Sequence, residues 1–484
     1  MAKIPAKPKK SSVKKAGKGA KRKRRGVLDL PKATKERMAE GRAQQEEVPL
    51  EAHADWSSPP DRPDPVGTID AQNRSRVADL VPIRHGRMVV SPFTFFRGGA
   101  AIMAWDLSRT PTTGLRVQCC GDAHLSNFGV FAAPDRRMVF DLNDFDETLP
   151  APFEWDVKRL AASLAVAAQD NGFKPKQQRA AARSAVSAYR ETIAQLATRR
   201  FLDVWYDRTY VDDLLKTVTP STPTARKQLQ KGIEKAKGKT SLGSLERFAE
   251  KVDGTYRIKE QPPVIVKPPA AMEDQLEEIV HKSLGDYRGT LSPDRRVVLD
   301  NYHYMDFARK VVGVGSVGTE ALMVLFMGDR EDDPLFLQLK EAQTSVLAPY
   351  AGDSEYKHEG ERVVQGQRLM QSAGDSLLGW LTGAGGAARQ FYVRQLRDMK
   401  GSVATEAMLP PGLARYGTVC GATLARAHAR TGDAAKIAGY LGEDDSFDRA
   451  IEQFSIDYAD QSDADYIAFE RAIADERLPV QRGV

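Results

Sequence analysis

The sequence predicts an α+β protein, and three observations predict it. Apolar residues recur at helical spacing over two long stretches, WDVKRLAASLAVAAQD from Trp155 and LARYGTVCGATLARAHAR from Leu413. Three β-like runs follow one another between 308 and 342, with a glycine loop in the first hairpin and the acidic turn DREDD in the second. The two kinds of pattern occupy different parts of the chain, as in α+β folds. At 484 residues, 41% hydrophobic and 28% charged, the chain is long enough for a large core or two to three lobes. Its composition excludes collagen, coiled coil and wholly disordered chains. It contains no repeat of about 20–50 residues, which argues against solenoids and propellers.

In chain order, residues 1–30 hold Lys, Ala, Gly, Pro and Ser with almost nothing to bury, and predict a disordered basic tail. Residues 1–26 carry 12 of the 71 Lys and Arg and no acid, so the remaining 59 bases face 65 acids and the body is net −6. The tail is therefore the part expected to make weak contact with nucleic acid or another polyanion, by counterion release. Residues 31–75 read as a linker with one short helix, LPKATKERMAEGRAQQ, followed by the punctuating SSPPDRPDPVG, with folded structure beginning near Asp70. Residues 76–298 form a catalytic-loop and helical lobe: a helix at RGGAAIMAWDLS, a strand at LRVQCC, the loop GDAHLSNFG, a strand at RRMVFDLNDFDE, the helix from Trp155, then mostly helical chain to 298. Residues 299–405 form a β-rich lobe, with two further strands at DSLLGWLT and RQFYVRQL. Residues 406–484 are helices that complete the helical lobe.

Three cysteines, two of them adjacent, build neither a disulfide framework nor a zinc site. The N-terminus lacks the apolar stretch of a signal peptide, and no run of about 18 apolar residues exists to span a bilayer. A cytoplasmic protein without membrane contact is the expectation.

The densest polar cluster joins CGDAHLSNFG to VFDLNDFDET and puts Asp122, His124, Asn127, Asp141, Asp144 and Asp146 within 25 residues. A carboxylate five residues before an Asn, with further Asp residues 14 to 17 positions on, suits phosphoryl transfer. One Asp deprotonates or orients an acceptor hydroxyl. The Asn oxygen and a later Asp offer the hard oxygen ligands that Mg²⁺ prefers. The competing reading is that these are turn and cap residues, which Asp and Asn favour. The second signal is Gly313, Gly315 and Gly318, a GxGxxG pattern. The β-branched TEALMVLFMG after it favours a hairpin over nucleotide phosphates above the strand-to-helix turn of dinucleotide folds. Lys340, in the strand FLQLKEA 22 residues on, is spaced so that a neighbouring strand brings its ammonium to those phosphates.

These motifs resemble two known groups. GDAHLSN with a downstream DFD is similar to the catalytic loop and metal segment of the protein kinase-like superfamily, especially the aminoglycoside phosphotransferase branch with its HGDxHxxN loop. RHGRMVVSPFTFFRGGAA, CGDAHLSNFG, NDFDETLPAPFEWDVKRLAASL, RKVVGVGSVGT, LFLQLKEAQ and FYVRQLRDMKGS together resemble the bacterial family DUF2252 over about residues 40–470. The kinase resemblance implies ATP and Mg²⁺ as cofactors, Asp122 as the catalytic Asp with His124 as a second catalytic residue, and Asn127 as a metal ligand. It implies Asp144 as the metal-segment Asp, with Asp141 a rival and Asp146 able to join either. It further implies Gly313, Gly315 and Gly318 as the glycine-rich loop, Lys340 as the lysine of the third strand, and Glu359 or Glu361 as its helix partner, with Glu361 taken as the nucleotide-site residue. RQLRDMKG stands where a hinge belongs. Cys120 replaces the His before GD, which removes a loop-bracing hydrogen bond and no catalytic group.

Order is the larger departure. Kinases run glycine loop, lysine, helix, hinge, catalytic loop, whereas here the catalytic loop precedes the glycine loop by about 190 residues. The resemblance thus implies a two-lobed, circularly permuted kinase-like fold, with the helix from Leu413 as the one that normally precedes the catalytic loop. Permutation is tolerated where termini lie close and the cut falls in a surface connection. The expected function is an ATP- and Mg-dependent phosphotransferase acting on an unidentified small-molecule or protein hydroxyl. AMP transfer on the same fold is an alternative, as is a non-catalytic nucleotide- or nucleic-acid-binding protein. A metallophosphoesterase wants more histidines than lie nearby, and a serine hydrolase wants its nucleophile before a helix, where Ser316 is not.

Overall fold

The Trp155 pattern forms the helix Phe153–Asp170, buried along almost its whole length. From Leu160 to Ala168 every residue is apolar or small, and such a stretch belongs at the centre of a fold, while the first two turns bury Glu154, Asp156, Lys158 and Arg159. The helices Pro175–Ala197, Pro410–Ala429 and Ser446–Ala474 pack around it and share one hydrophobic core with it. This computed structural model describes residues 32–217, 223–269, 271, 273–383, 389–396 and 399–484. The basic tail expected over 1–30 lies outside the described residues.

Residues Thr34–Val484 form one compact unit. The helix expected in LPKATKERMAEGRAQQ is Thr34–Ala43. The segment read as a linker after it is packed: His53 is fully buried, and Pro65–Asn73 is helical. Structure therefore begins well before Asp70. The reason is Arg62, whose guanidinium bridges Asp106 and Asp465 at 2.7–2.8 Å.

Ahead of the central helix lie β1 (Arg116–Cys119), β2 (Phe128–Ala132), β3 (Met138–Leu142) and β4 (Leu149–Pro152). β1 pairs with β4, and β2 with β3, both antiparallel. β2 was not expected from the sequence; it forms because Arg136, at φ 65°, turns the chain so that Phe128 comes opposite Leu142. A second departure falls in the stretch expected to be mostly helical. Asp253 and Gly254, both at positive φ, close a hairpin of β5 (Ala249–Val252) and β6 (Thr255–Ile258), and two such residues at a tight turn match the strand twist. The proline-rich QPPVIVKPP adds β7 (Ile265–Val266).

The β-rich region is a six-stranded antiparallel sheet. Its strands are β7, β8 (His303–Lys310), β9 (Ala321–Met327), β10 (Pro334–Glu341), β11 (Gly379–Thr382) and β12 (Gln390–Gln395), in the order β11-β12-β10-β9-β8-β7. Alternate residues of β9 and β10 enter two apolar clusters: Val324, Phe326, Leu337 and Leu339 in one, Met323, Leu325 and Phe336 in the other. Burial on both faces explains why these strands read as continuous apolar runs. The helix Glu359–Met370 joins β10 to β11, and β13 (Gly401–Ser402) leaves the sheet to pair with β2. Among the described residues no helix is long and apolar enough to cross a membrane.

Candidate functional site

The loop after β1 is held by the central helix. Asp156, in its first turn, accepts hydrogen bonds from the backbone N–H of Cys120 (2.7 Å) and Gly121 (3.0 Å). Gly121 sits at φ 83°, and a Cβ there would lie 2.2 Å from the Glu147 carbonyl oxygen, so only glycine fits. One turn further along the helix, Arg159 donates to Asp122 at 2.9 Å and to the Phe96 carbonyl at 2.8 Å. Asn127 closes the loop by donating its amide to the Asp122 carbonyl at 2.6 Å, which leaves its amide oxygen free of that bond. His124 Nε2 lies 3.6 Å from the Asp122 carboxylate. Burial lowers the His124 imidazole to about 4 despite that carboxylate, so the ring is neutral at pH 7. His428 reaches Asp156 at 3.2 Å, and with Cys119 the three put their ligand atoms within 4.8 Å of one another. Asp156 is already committed to two backbone N–H groups, so this group braces the loop.

The acidic turn after β3 meets β10. Lys340, 2% exposed, points its ammonium at Asp146, and Asp144 lies 3.6 Å away. Asp146 also accepts from the Tyr392 hydroxyl (2.8 Å) and from Ser316 (3.4 Å). Burial works to raise the Asp144 carboxyl, but Lys340, Arg394 and Lys400 outweigh it and hold Asp144 below the ordinary carboxylate range. Burial and the neighbouring Asp144 charge push Asp146 the other way. Two adjacent carboxyls with opposed shifts are the signature of a site tuned for charge.

The glycine loop between β8 and β9 lies on the helices that precede β1. The Val77 N–H bonds the Gly318 carbonyl at 2.8 Å, Arg76 bonds Val317 at 2.6 Å, and Arg87 bonds Gly313 at 2.5 Å. A Cβ on Gly315 would come within 3.0 Å of the Arg97 carbonyl, a contact that keeps the loop against that segment.

These parts enclose one cavity of about 110 Å³. Of the residues named from sequence, Asp122, His124, Asn127, Asp144, Asp146, Gly313 and Gly315 line it. Lys340 reaches its edge through Asp146, and Gly318 sits at the loop's end against Arg76. Asp141 turns away: its carboxylate accepts the Leu142 and Ser372 N–H groups, and burial raises it. Glu361 is likewise not brought to Lys340, whose ion-pair partners among the described residues are Asp144 and Asp146. The helix Glu359–Met370 instead engages the acidic turn through Arg362, which donates to the carbonyls of Asp146 (2.8 Å) and Thr148 (2.7 Å). Sequence reasoning missed Arg362, Arg159 and the arginines at 76, 84 and 97 that line the cavity or brace it. Arg159 carried a usable signal, since it stands three residues after Asp156 on the same helical face.

No curated protein and no solved structure matches the chain. Residues 76–472 match the family described as an uncharacterized protein conserved in bacteria (DUF2252). That span starts at Arg76 beneath the glycine loop and takes in every cavity residue just named, and on that match the chain belongs to the DUF2252 family.

Proposed function

We propose that this protein is a phosphotransferase of kinase-like, permuted architecture that uses Mg·ATP and acts on an acceptor hydroxyl. The observation that carries the reading is the contact of Lys340 with Asp146, 194 residues apart, at the edge of a cavity lined also by Asp122, Asn127 and the glycine loop. Chain order within the sheet supports it. A glycine loop joins the first two long strands, the lysine stands on the third, a helix follows, two more strands come next, and β13 then runs to the catalytic-loop hairpin.

The donor set suits both cofactors. Asn127 and Asp144 offer amide and carboxylate oxygens, which Mg²⁺ prefers, and Lys340 with the backbone of 313–318 offers cations and N–H groups to phosphates. Bound Mg·ATP supplies the phosphoryl group and the counter-charge for its transfer. The protein's part is positional. Asp122, paired with Arg159 and fixed by the Asp156-held loop, accepts the proton of the acceptor hydroxyl. Asn127 ties the loop's ends together, and Lys340 keeps the acidic turn in register with β10. The neutral His124 imidazole fills the space beside Asp122 without competing for its proton.

The test is transfer from labelled ATP into a cell extract. Label from the γ-position, dependent on Mg²⁺ and absent in Asp122→Asn, is the expected result. Label from the α-position alone identifies AMP transfer, and no label from either defeats both readings.

A further inference from the structure

The cavity contains more positive charge than transfer from a nucleotide requires. Four of its carboxylates already have cationic partners: Asp122 is paired with Arg159, Asp144 and Asp146 with Lys340, and Glu341 with Arg389 at 3.2 Å. The fifth, Glu147, accepts the Val346 N–H at 2.7 Å, and burial pushes its carboxyl up to about 7. Three further arginines line the same space, Arg76, Arg84 and Arg97, all from the helical segment ahead of β1, which supplies none of the phosphotransfer groups. Arg84 is fully buried and bonds only neutral oxygens, those of Asn73 (2.6 Å) and Gln72 (2.9 Å) and two backbone carbonyls. Arg76 bonds the Val317 carbonyl. Arg97 makes no hydrogen bond or ion pair among the described residues, and its Nε is buried without a partner. Asp122, Glu406 and Asp144 act on it only at range, and burial lowers its proton affinity all the same. A guanidinium stays charged even so, and burying one without a counter-anion is costly. Such a group lining a cavity is a ready receptor for a phosphate, whose oxygens match its fork.

We propose that the acceptor already bears a phosphate group and that Arg97, backed by Arg76 and Arg84, binds it beside Asp122. This rests on the phosphotransferase reading for the word acceptor, but the anion site stands on its own geometry. Arg97 is placed to orient the acceptor: its backbone carries the glycine loop at Gly315 while its side chain lines the cavity shared with the proton acceptor and the metal ligands.

Calorimetric titration of inorganic phosphate into the full-length chain saturated with Mg²⁺ and a non-hydrolysable ATP analogue tests it. Saturable phosphate binding should weaken at least tenfold in Arg97→Gln and less in Arg97→Lys, which keeps the charge but not the fork. Affinity for the ATP analogue should stay within twofold in both. The side chain has no hydrogen bond to lose, so both variants should unfold near the wild-type temperature, and Arg97→Lys keeps the test valid if Arg97→Gln does not. Phosphate binding that ignores both substitutions overturns the proposal. So does a loss of nucleotide affinity by the same factor, which would assign Arg97 to ATP, or acetate binding as tightly as phosphate. If the analogue fails to bind wild type, the phosphotransferase reading falls. Phosphate binding that is still lost in Arg97→Gln would then uphold the anion site alone.

Discussion

Asp122 and Asp144 line one cavity yet have different partners, and their substitutions should separate. Asp122 is held by Arg159 and Asp144 lies near Lys340. Asp122→Asn is expected to lower transfer by about 10²–10⁴-fold, the usual worth of a general base, with nucleotide affinity unchanged. Asp144→Asn is expected to lose Mg-dependent nucleotide binding as well. Titrations with and without Mg²⁺ check this, and equal loss of affinity in both variants contradicts the roles. Lys158, on the far side of the central helix from this chemistry, bears on stability instead. Its ammonium is buried without a hydrogen-bond partner, 4.5 Å from the Phe454 ring, and burial lowers it from 10.5 to about 7. Between these values the unfolded chain binds the proton and the folded chain does not, so stability rises with pH across that window. Below pH 7 the penalty is present in full. Lys158→Met should therefore be more stable than wild type by a few kcal/mol at pH 6, and that advantage should shrink toward pH 10 in chemical denaturation. The residue types at the site were legible in the sequence because Asp122, Asn127 and Asp144 lie within one local motif. Lys158 was not, since a single lysine in a helix reveals its burial only through what packs on it.

At the scale of elements, the helix Glu359–Met370 is the clearest case of a position anticipated and a contact not. It stands between the third and fourth long strands as expected, yet it holds the acidic turn through Arg362 rather than reaching Lys340 through Glu361. Arg362, 2% exposed, also donates to the Gln343 carbonyl at 2.7 Å. Arg362→Met leaves three carbonyls, that of Thr148 buried and those of Asp146 and Gln343 half-buried, without their donor, at about 1–3 kcal/mol each before relaxation. A loss of about 3–5 kcal/mol in urea unfolding is expected, together with weaker Mg-dependent binding, because the turn carrying Asp144 and Asp146 loses its clamp. Unchanged stability would show that water replaces the arginine. The strands β9 and β10 were legible because both faces are apolar and their turns carry glycine or acid, whereas β8 was read only from Ala308 because its first half, HYMD, includes a histidine and an aspartate. The β5–β6 hairpin was missed although Asp253-Gly254 is a turn signal, because its strands, EKV and TYR, are polar and mostly exposed.

At the largest scale, the unit Thr34–Val484 is tied together by contacts between its early helices and its last segment. Arg62 joins Asp106 to Asp465, whose side chains are 1% and 5% exposed, and Gln481 N–H bonds the Pro82 carbonyl at 2.8 Å. Burial pushes the Asp106 carboxyl up even with Arg62 in place. Arg62→Met strands two buried carboxylates and should cost about 3–5 kcal/mol at pH 8. Because the buried Asp106 carboxyl, already raised, loses the arginine that holds it down, the variant should recover stability as pH falls toward 5. Thermal unfolding across that range checks it, and a deficit that does not change with pH argues against the mechanism. The sequence by itself determined the α+β class, the long helices, the principal strands and most of the acidic and amide residues that line the cavity, since each is written in a local period or a short motif. Tertiary structure decided that 34–75 is packed, that Lys340 meets Asp146 and not Glu361, that Asp141 faces away, and that three arginines share the cavity. Those outcomes depend on which elements pack together. The partners are up to 403 residues apart, and a charge buried by folding takes whatever counter-charge the neighbouring element brings within reach, which no local spacing encodes.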